Sequence, residues 1–168
     1  MAQAGVLAED DRLELIDGDL IDMTPIGSRH AGAVSRLTRL FGAAVGADAI
    51  VSVQNPVQLD YYSQPQPDLA LLRPRADFYS ESHPQPADVL LIVEVAEASL
   101  DYDRDVKVPL YAHHGVPEVW LVDVAGRGMT VYRAPGPDGY GQQRCVQNAE
   151  SIWPVTLPAV VIDLAGLL

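Results

Sequence analysis

The eight-residue segment Val89–Ala96 constrains the fold more than any other part of the sequence. It reads VLLIVEVA, and seven of its eight residues are apolar. A strand with apolar side chains on both faces is typical of the centre of a sheet that is covered on both sides. Glu94 is the exception, because an isolated buried carboxylate costs several kcal/mol unless a cation or hydrogen bonds compensate it. The alternative is that Glu94 lies at the end of the strand and reaches solvent.

Two segments have the residue pattern of helices. The first runs from Ser28 to about Val45, with apolar residues on one side and arginines on the other. Ser28 is a candidate cap for its N-terminus, and Gly46 suits its C-terminal end. A second helix is predicted between about Tyr102 and His114. Because Pro109 lies inside it, this helix either starts late, with the proline in its first turn, or bends there.

Short strands and turns fill most of the remaining sequence. Asp17-Gly18 is typical of a tight two-residue turn, so the segment Leu13–Met23 predicts an N-terminal β-hairpin. The tail Trp153–Leu168 is predicted to pack along an edge of the sheet, and residues 80–88, with two prolines, form a loop. Further strands are predicted at Ala49–Val53, Val57–Tyr61, Asp68–Leu72, Val116–Val124 and Met129–Arg133.

This order of elements predicts an α/β or α+β fold with helices packed on a sheet. A chain of 168 residues without a linker is expected to form a single domain over residues 1–168. No apolar run approaches the ~20 residues that cross a bilayer, and the N-terminus has no secretory pattern. The single cysteine, Cys145, is predicted to be a small buried side chain, and the expected location is a reducing cytoplasm.

The charge of the chain restricts its partners. Eleven basic and 23 acidic residues give a formal net charge of −12 at pH 7. Such a charge repels nucleic acid at long range, whereas divalent metal ions are not repelled. Lys107 is the only lysine in the sequence, and the other basic residues in this count are all arginines.

Asp68 and Glu94 are candidate metal ligands. Asp68 opens a predicted strand directly after Pro67, and its alternative role is a polar cap of that strand. On neighbouring strands, two carboxylates at ~4–6 Å raise each other's pKa unless a divalent ion lies between them. Oxygen ligands of this kind favour Mg²⁺ or Mn²⁺ over zinc.

Lys107, Glu14 and His30 complete the set of candidates. Lys107 follows Asp103 by one helical turn, which also fits an exposed ion pair worth ~0.3–0.5 kcal/mol. In a chain that otherwise uses arginine, a lone compact ammonium favours a role such as orienting a water molecule. Glu14 is either a further site residue or an exposed strand residue. His30 lies on the apolar face of its helix, so it is either a site residue or a hydrogen-bonded core histidine.

Taken together, these motifs resemble the Uma-two family of restriction endonuclease-like proteins, within the PD-(D/E)XK nuclease superfamily. The resemblance covers nearly the whole chain, and its most specific strings are Gly115–Asp123 and Glu14–Gly18. The motifs that carry it are Pro67-Asp68, Glu94 after an apolar strand, Asp103-Arg-Asp-Val-Lys107, Tyr111–Asp123, Leu13–Leu20, the helix opening around His30, and Leu157-Pro158.

The resemblance implies a restriction-endonuclease-like mixed β-sheet flanked by helices, with a metal site. Asp68 and Glu94 would be metal ligands, and Val95 would be a third metal-binding position. The superfamily pattern places its lysine two residues after the glutamate, where this chain has Ala96; the resemblance implies that Lys107, on the following helix, replaces it. The implied catalytic residues are Asp68, Glu94, Lys107, Glu14 and His30.

The primary functional hypothesis is a metal-dependent endonuclease that acts on DNA with Mg²⁺ or Mn²⁺ as cofactor. A homodimer is the expected assembly, and no membrane partner is expected. The first alternative, motivated by the charge of −12, is a non-catalytic binding or assembly protein that retains a nuclease fold. The second alternative is a nuclease that cleaves RNA or single strands.

Overall fold

A six-stranded mixed sheet forms the centre of the molecule, and the computed structural model describes residues 13–23, 25–146 and 150–165. Its strands are β3 (Ile50–Val53), β4 (Leu69–Leu72), β5 (Val89–Ala96), β6 (Glu118–Asp123), β7 (Gly128–Gly136) and β8 (Gly139–Val146), in that spatial order. Neighbouring strands are antiparallel except β5 and β6, which are parallel. The predicted central strand is confirmed, since all eight residues of β5 are buried.

Alternation along β5 divides the core into two halves. Leu91, Val93 and Val95 face the side of the sheet covered by helix α1 (Ser28–Val45). Ile92 and Ala96 face the opposite side, which is covered by helix α3 (Val108–His113). Because successive side chains of a strand point to opposite faces, Glu94 is directed to the α3 side.

The second predicted helix contains an irregular turn. A short helix α2 (Leu100–Tyr102) leads into a π-helical segment, Asp103–Lys107, which continues directly into α3. In the π segment the N–H of Val108 donates to the carbonyl of Asp103, a five-residue spacing. Pro109 follows at once and has no N–H to donate, so the regular ladder is interrupted at this point without ending the helix.

The N-terminal hairpin is confirmed as strands β1 (Leu13–Ile16) and β2 (Asp19–Asp22), which pair antiparallel. Asp17 and Gly18 both have positive φ, 49° and 90°, as a tight two-residue hairpin turn requires. Gly46, with φ 52°, ends α1 as expected. None of the helices in the described part of the chain is both long and apolar enough to cross a membrane.

Two local predictions are wrong. Residues 57–61 do not form a strand, because the loop folds back on itself: Val57 N–H donates to the Pro65 carbonyl and Leu59 N–H to the Ser63 carbonyl. The N-cap of α1 is Gly27, and Ser28 is already the first helical residue.

Two predictions about the C-terminal part of the chain are also wrong. Cys145 is exposed, because it lies on β8, an edge strand whose side chains mostly face solvent. The tail covers a face of the sheet, not an edge. Strands β9 (Ser151–Ile152) and β10 (Ile162–Asp163) pair with each other, and Ile152 and Ile162 enter the core on the α1 side. Residues 166–168 of the predicted tail lie outside the described part of the chain.

Candidate active site

A cleft of about 480 Å³ opens at the end of the sheet where β4 begins and β5 ends. One wall is the hairpin and the segment that follows it, including Ile21 and Ile26. The other wall is formed by α2 and the π segment. All five predicted catalytic residues line this cleft: Glu14, His30, Asp68, Glu94 and Lys107.

A buried ammonium group joins two buried carboxylates at the floor of the cleft. Lys107 Nζ lies 2.8 Å from Glu94 Oε1 and 3.0 Å from Glu14 Oε1. The three side chains are only 3–6% exposed. The alternatives of a solvent-facing Glu94, an exposed Glu14 and a surface pair between Lys107 and Asp103 are therefore wrong.

The local structure explains how Lys107 and Glu94 meet. Glu94 points to the α3 side of the sheet, and the π segment buries Lys107 on the face of the helix that packs there. Tyr111, one turn later on α3, donates its hydroxyl to Glu94 Oε1 at 2.6 Å. Glu94 is thus held by one cation and one hydrogen-bond donor, which offsets part of the cost of burying it.

Burial and charge shift the pKa values of this group in a consistent way. Burial raises the pKa of Glu94 to about 8, and the nearby carboxylates of Asp103, Asp68 and Glu14 add to the effect, while Lys107 opposes it. Burial lowers the pKa of Lys107, but the surrounding carboxylates outweigh it and hold that pKa above its usual value. Lys107 is therefore a charged hydrogen-bond donor at neutral pH and not a base.

Asp68 is held in place by three donors at the start of β4. Its Oδ2 lies 3.0 Å from His30 Nε2 and accepts the backbone N–H of Val95 at 2.9 Å. Its Oδ1 accepts the side-chain amide of Gln54 at 3.2 Å. The contact with Val95 connects Asp68 directly to β5, one residue after Glu94, so the two predicted metal ligands lie on neighbouring strands as expected.

His30 reaches the cleft from the first turn of α1. Its hydrogen bond to Asp68 raises its pKa above the usual value, and burial opposes that shift. His30 is both a hydrogen-bonded, largely buried histidine and a residue of the site, since it contacts Asp68, a predicted metal ligand. Val95, the third predicted metal position, buries its side chain on the α1 side, so only its backbone can reach a metal ion.

Three side chains of the cleft region were not predicted as site residues from the sequence: Tyr111, Asp103 and Tyr102. Tyr111 looks like an ordinary core aromatic, and its hydroxyl contact with Glu94 has no signal in the spacing. Asp103 is buried and accepts the hydroxyl of Ser99 at 2.6 Å; burial raises its pKa. Tyr102 lines the cleft beside it. The four-residue spacing of Asp103 and Lys107 is also typical of an exposed ion pair on a helix, so the spacing did not indicate that both side chains are buried.

The oxygen donors of the cleft fit a hard divalent ion. Asp68, Glu94 and the carbonyl of Val95 are ligands of the type that Mg²⁺ and Mn²⁺ prefer. Within residues 13–23, 25–146 and 150–165, no three His, Cys, Asp or Glu side chains are grouped so that they could hold a metal by themselves. Mg²⁺ needs only one or two protein carboxylates, because it retains several water molecules.

Glu118 shows that a buried acid on this sheet need not belong to the cleft. It lies on β6 and is fully buried. Its Oε1 accepts hydrogen bonds from Trp120 Nε1 at 2.7 Å and from Arg133 Nε at 2.9 Å. Because these partners hold it within the core away from the cleft-lining residues, we interpret Glu118 as structural.

The fold is that of a nuclease-like α+β protein. A solved structure described as a "putative nuclease belonging to DUF820", from Anabaena variabilis ATCC 29413, superimposes with a TM-score of 0.69. The two chains are 15% identical, and the match covers 91% of this chain and 86% of the other. At this identity the likeness concerns the fold alone. No curated protein matches the sequence.

The family follows from the sequence itself. The model of the Uma2 family, described as "Putative restriction endonuclease", matches residues 2–165. The chain belongs to this family, which confirms the resemblance drawn from the motifs. Family and fold together support a nuclease.

Proposed function

We propose that the protein is a metal-dependent endonuclease that hydrolyses phosphodiester bonds in DNA. The observation that carries this proposal is the meeting of Lys107 with Glu94 at one cleft, beside Asp68 on the neighbouring strand. These three side chains come from distant parts of the sequence. A buried ion pair contributes little net stability, because removing both charges from water offsets their attraction. We therefore infer that this pair serves the function of the protein.

Asp68, Glu94 and the carbonyl of Val95 would hold the divalent ion. When bound, Mg²⁺ or Mn²⁺ would polarise the scissile phosphate and lower the pKa of a water molecule. Lys107, as a fixed cation, would stabilise the negative charge that develops on the phosphate. Tyr111 holds the Glu94 carboxylate in one orientation, and His30 and Gln54 do the same for Asp68.

DNA as the substrate is supported by the family and must be reconciled with the acidity of the chain. The arginines that could offset this charge are Arg29, Arg36, Arg39, Arg73 and Arg75, all of which the structure describes; none of them lines the cleft. Arg29 lies 3.5 Å from Glu97, which lines the cleft. Bound divalent ions would therefore have to supply much of the positive charge that a phosphate backbone requires.

Substitution of each site residue tests the proposal. Asp68→Asn, Glu94→Gln and Lys107→Ala should each lower Mg²⁺- or Mn²⁺-dependent cleavage of duplex DNA by at least about a hundredfold, because each removes charge from the reacting centre. Glu118→Gln is the matched control, since it neutralises a buried acid outside the cleft. Full activity in all three site variants would dismiss the assignment.

A non-catalytic binding or assembly role is the second candidate. Two observations favour it: the charge of −12, and the absence of any described arginine from the lining of the cleft. Such a protein should bind no divalent ion at Asp68 and Glu94, which calorimetry measures directly. A panel of labelled duplex, single-stranded and RNA substrates separates DNA cleavage from cleavage of RNA or single strands. A homodimer in solution and a cytoplasmic location remain predictions.

A further inference from the structure

Two buried polar atoms of the described residues have no hydrogen-bond partner within the protein. They are the hydroxyl oxygen of Tyr102 and Nδ1 of His30. Both residues line the same cleft, one from α2 and the other from α1. Buried polar atoms are almost always hydrogen-bonded in folded proteins, so a pair of exceptions at one cleft indicates that the missing partner is the molecule that occupies it.

The chemistry of the cleft shows what kind of group the Tyr102 hydroxyl can serve. The acidic side chains that line the cleft include Glu14, Asp68, Glu94 and Asp103, and each of them repels an anion when it is ionised. Lys107 is already engaged by two carboxylates. A neutral hydroxyl is therefore one of the few donors that a phosphate oxygen can meet here without first displacing an ion pair.

We propose that Tyr102 is a substrate-binding residue whose hydroxyl donates a hydrogen bond to a phosphate oxygen of the nucleic acid. The assignment rests on the proposed function and adds a substrate contact to it. Burial raises the pKa of Tyr102, so the hydroxyl keeps its proton at neutral pH. His30 Nδ1 is the other unpartnered atom, but a His30 variant would also remove a contact of Asp68, so Tyr102 provides the cleaner test.

Two tyrosines of adjoining helices provide a matched pair of variants. Tyr102→Phe removes a hydroxyl that has no partner, whereas Tyr111→Phe removes one that donates to Glu94. The thermal midpoint of Tyr102→Phe should equal or exceed that of the wild type, and Tyr111→Phe should lower it. A loss of stability in Tyr102→Phe as large as that in Tyr111→Phe would show an internal partner and would overturn the proposal.

Binding is measured by fluorescence anisotropy of a short labelled DNA duplex, with Ca²⁺ in place of Mg²⁺ and intact DNA verified on a gel. Tyr102→Phe should weaken the affinity about tenfold, as expected for one hydrogen bond to a charged acceptor. Calorimetry should show divalent-ion binding by Tyr102→Phe equal to that of the wild type. Wild-type DNA affinity in Tyr102→Phe would overturn the proposal.

The outcomes for Tyr102 and for the nuclease assignment can be told apart. Cleavage by the wild type together with unchanged binding by Tyr102→Phe rejects the Tyr102 contact and leaves the nuclease intact. Binding without cleavage by the wild type rejects the nuclease, and the affinity ratio of the two proteins still decides the role of Tyr102. A wild type that does not bind DNA at all rejects both.

Discussion

Glu94 and Glu118 are both buried acids on adjacent parallel strands, yet their surroundings give them different roles. Glu118 is neutralised by Arg133 and receives a donor from Trp120, so it is compensated inside the core. Glu94 shares its one cation, Lys107, with Glu14 at the floor of a cleft. When Glu94 is ionised, the carboxylates around Lys107 outnumber this one ammonium group, and the excess negative charge favours the binding of a second cation.

The raised pKa of Glu94 predicts how the stability of the metal-free protein depends on pH. The carboxyl is protonated more readily in the folded state, at a pKa of about 8 against a reference value of 4.5. The free energy of unfolding should therefore fall as pH rises from 5 to 8, with a slope of at most about 1.4 kcal/mol per pH unit.

Urea unfolding in EDTA, at several pH values in that range, measures this slope for the wild type and for Glu94→Gln. The variant should be flatter, because it has no proton to lose at this position. His30 also has a raised pKa, so its contribution to the free energy of unfolding also falls as pH rises. Because His30 is present in both proteins, this contribution cancels in the difference between their slopes. Equal slopes in the two proteins would contradict the burial effect assigned to Glu94.

Some of the site residues could be predicted from sequence and others could not, for identifiable reasons. Glu94 interrupts an apolar strand, and Lys107 is the only lysine, so composition and pattern single out both. The positions of Glu14 and His30 relative to them depend on the packing of the hairpin and α1, which leaves alternatives open. Tyr111 and Tyr102 carry no such signal, because a hydroxyl partner is a property of three-dimensional placement.

At the scale of elements, the hairpin and the π segment bring the site together. The hairpin carries Glu14 to Lys107, and Glu14 Oε1 also accepts the backbone N–H of Gln66, which ties β1 to the loop before β4. Asp17-Gly18 predicted this hairpin because its turn requires positive φ. Pro109 indicated an irregularity in the second helix, but sequence alone could not decide between a late start, a bend and the π turn that forms.

Two glycine substitutions should change stability in opposite directions. Gly18 has φ 90° in the hairpin turn, whereas Gly32 lies in the exposed interior of α1, and both have open space where a Cβ would stand. Gly18→Ala should therefore lower the free energy of unfolding by about 1–2 kcal/mol. Gly32→Ala should raise it by about 0.5–1 kcal/mol.

Urea unfolding at one pH compares the two glycine variants with the wild type. Since neither added methyl group meets a neighbour, a difference in sign reports backbone conformation alone. The same sign for both variants would contradict the turn geometry assigned to residues 17 and 18.

At the scale of the whole molecule, net charge governs how DNA can be bound. Proteins that neutralise many phosphates with lysine and arginine lose affinity steeply with salt, in proportion to the number of contacts. Here none of the arginines in the described part of the chain lines the cleft, and Lys107 is buried between carboxylates. The fold class followed from the order of elements, but the sequence could not show where its arginines lie, because they are distributed over several elements.

The slope of log affinity against log salt should therefore be shallow, with a magnitude below about 3 for duplex DNA at constant Ca²⁺. Affinity should be lost when the divalent ion is removed with EDTA. Anisotropy titrations over a range of monovalent salt measure the slope. A steep slope that persists without divalent ions would reveal a basic DNA-binding surface and would contradict this account of the charge.

The most direct test of the central claim is a calorimetric titration of the metal-free protein with Mn²⁺. The wild type and Glu118→Gln should each bind the ion at the cleft, and Asp68→Asn and Glu94→Gln should weaken that binding by at least about tenfold, because each removes a charged oxygen ligand. Thermal unfolding of each variant establishes that it is folded. Equal Mn²⁺ affinity in all four folded proteins, or no binding by the wild type, would contradict a metal-dependent nuclease centred on Asp68 and Glu94.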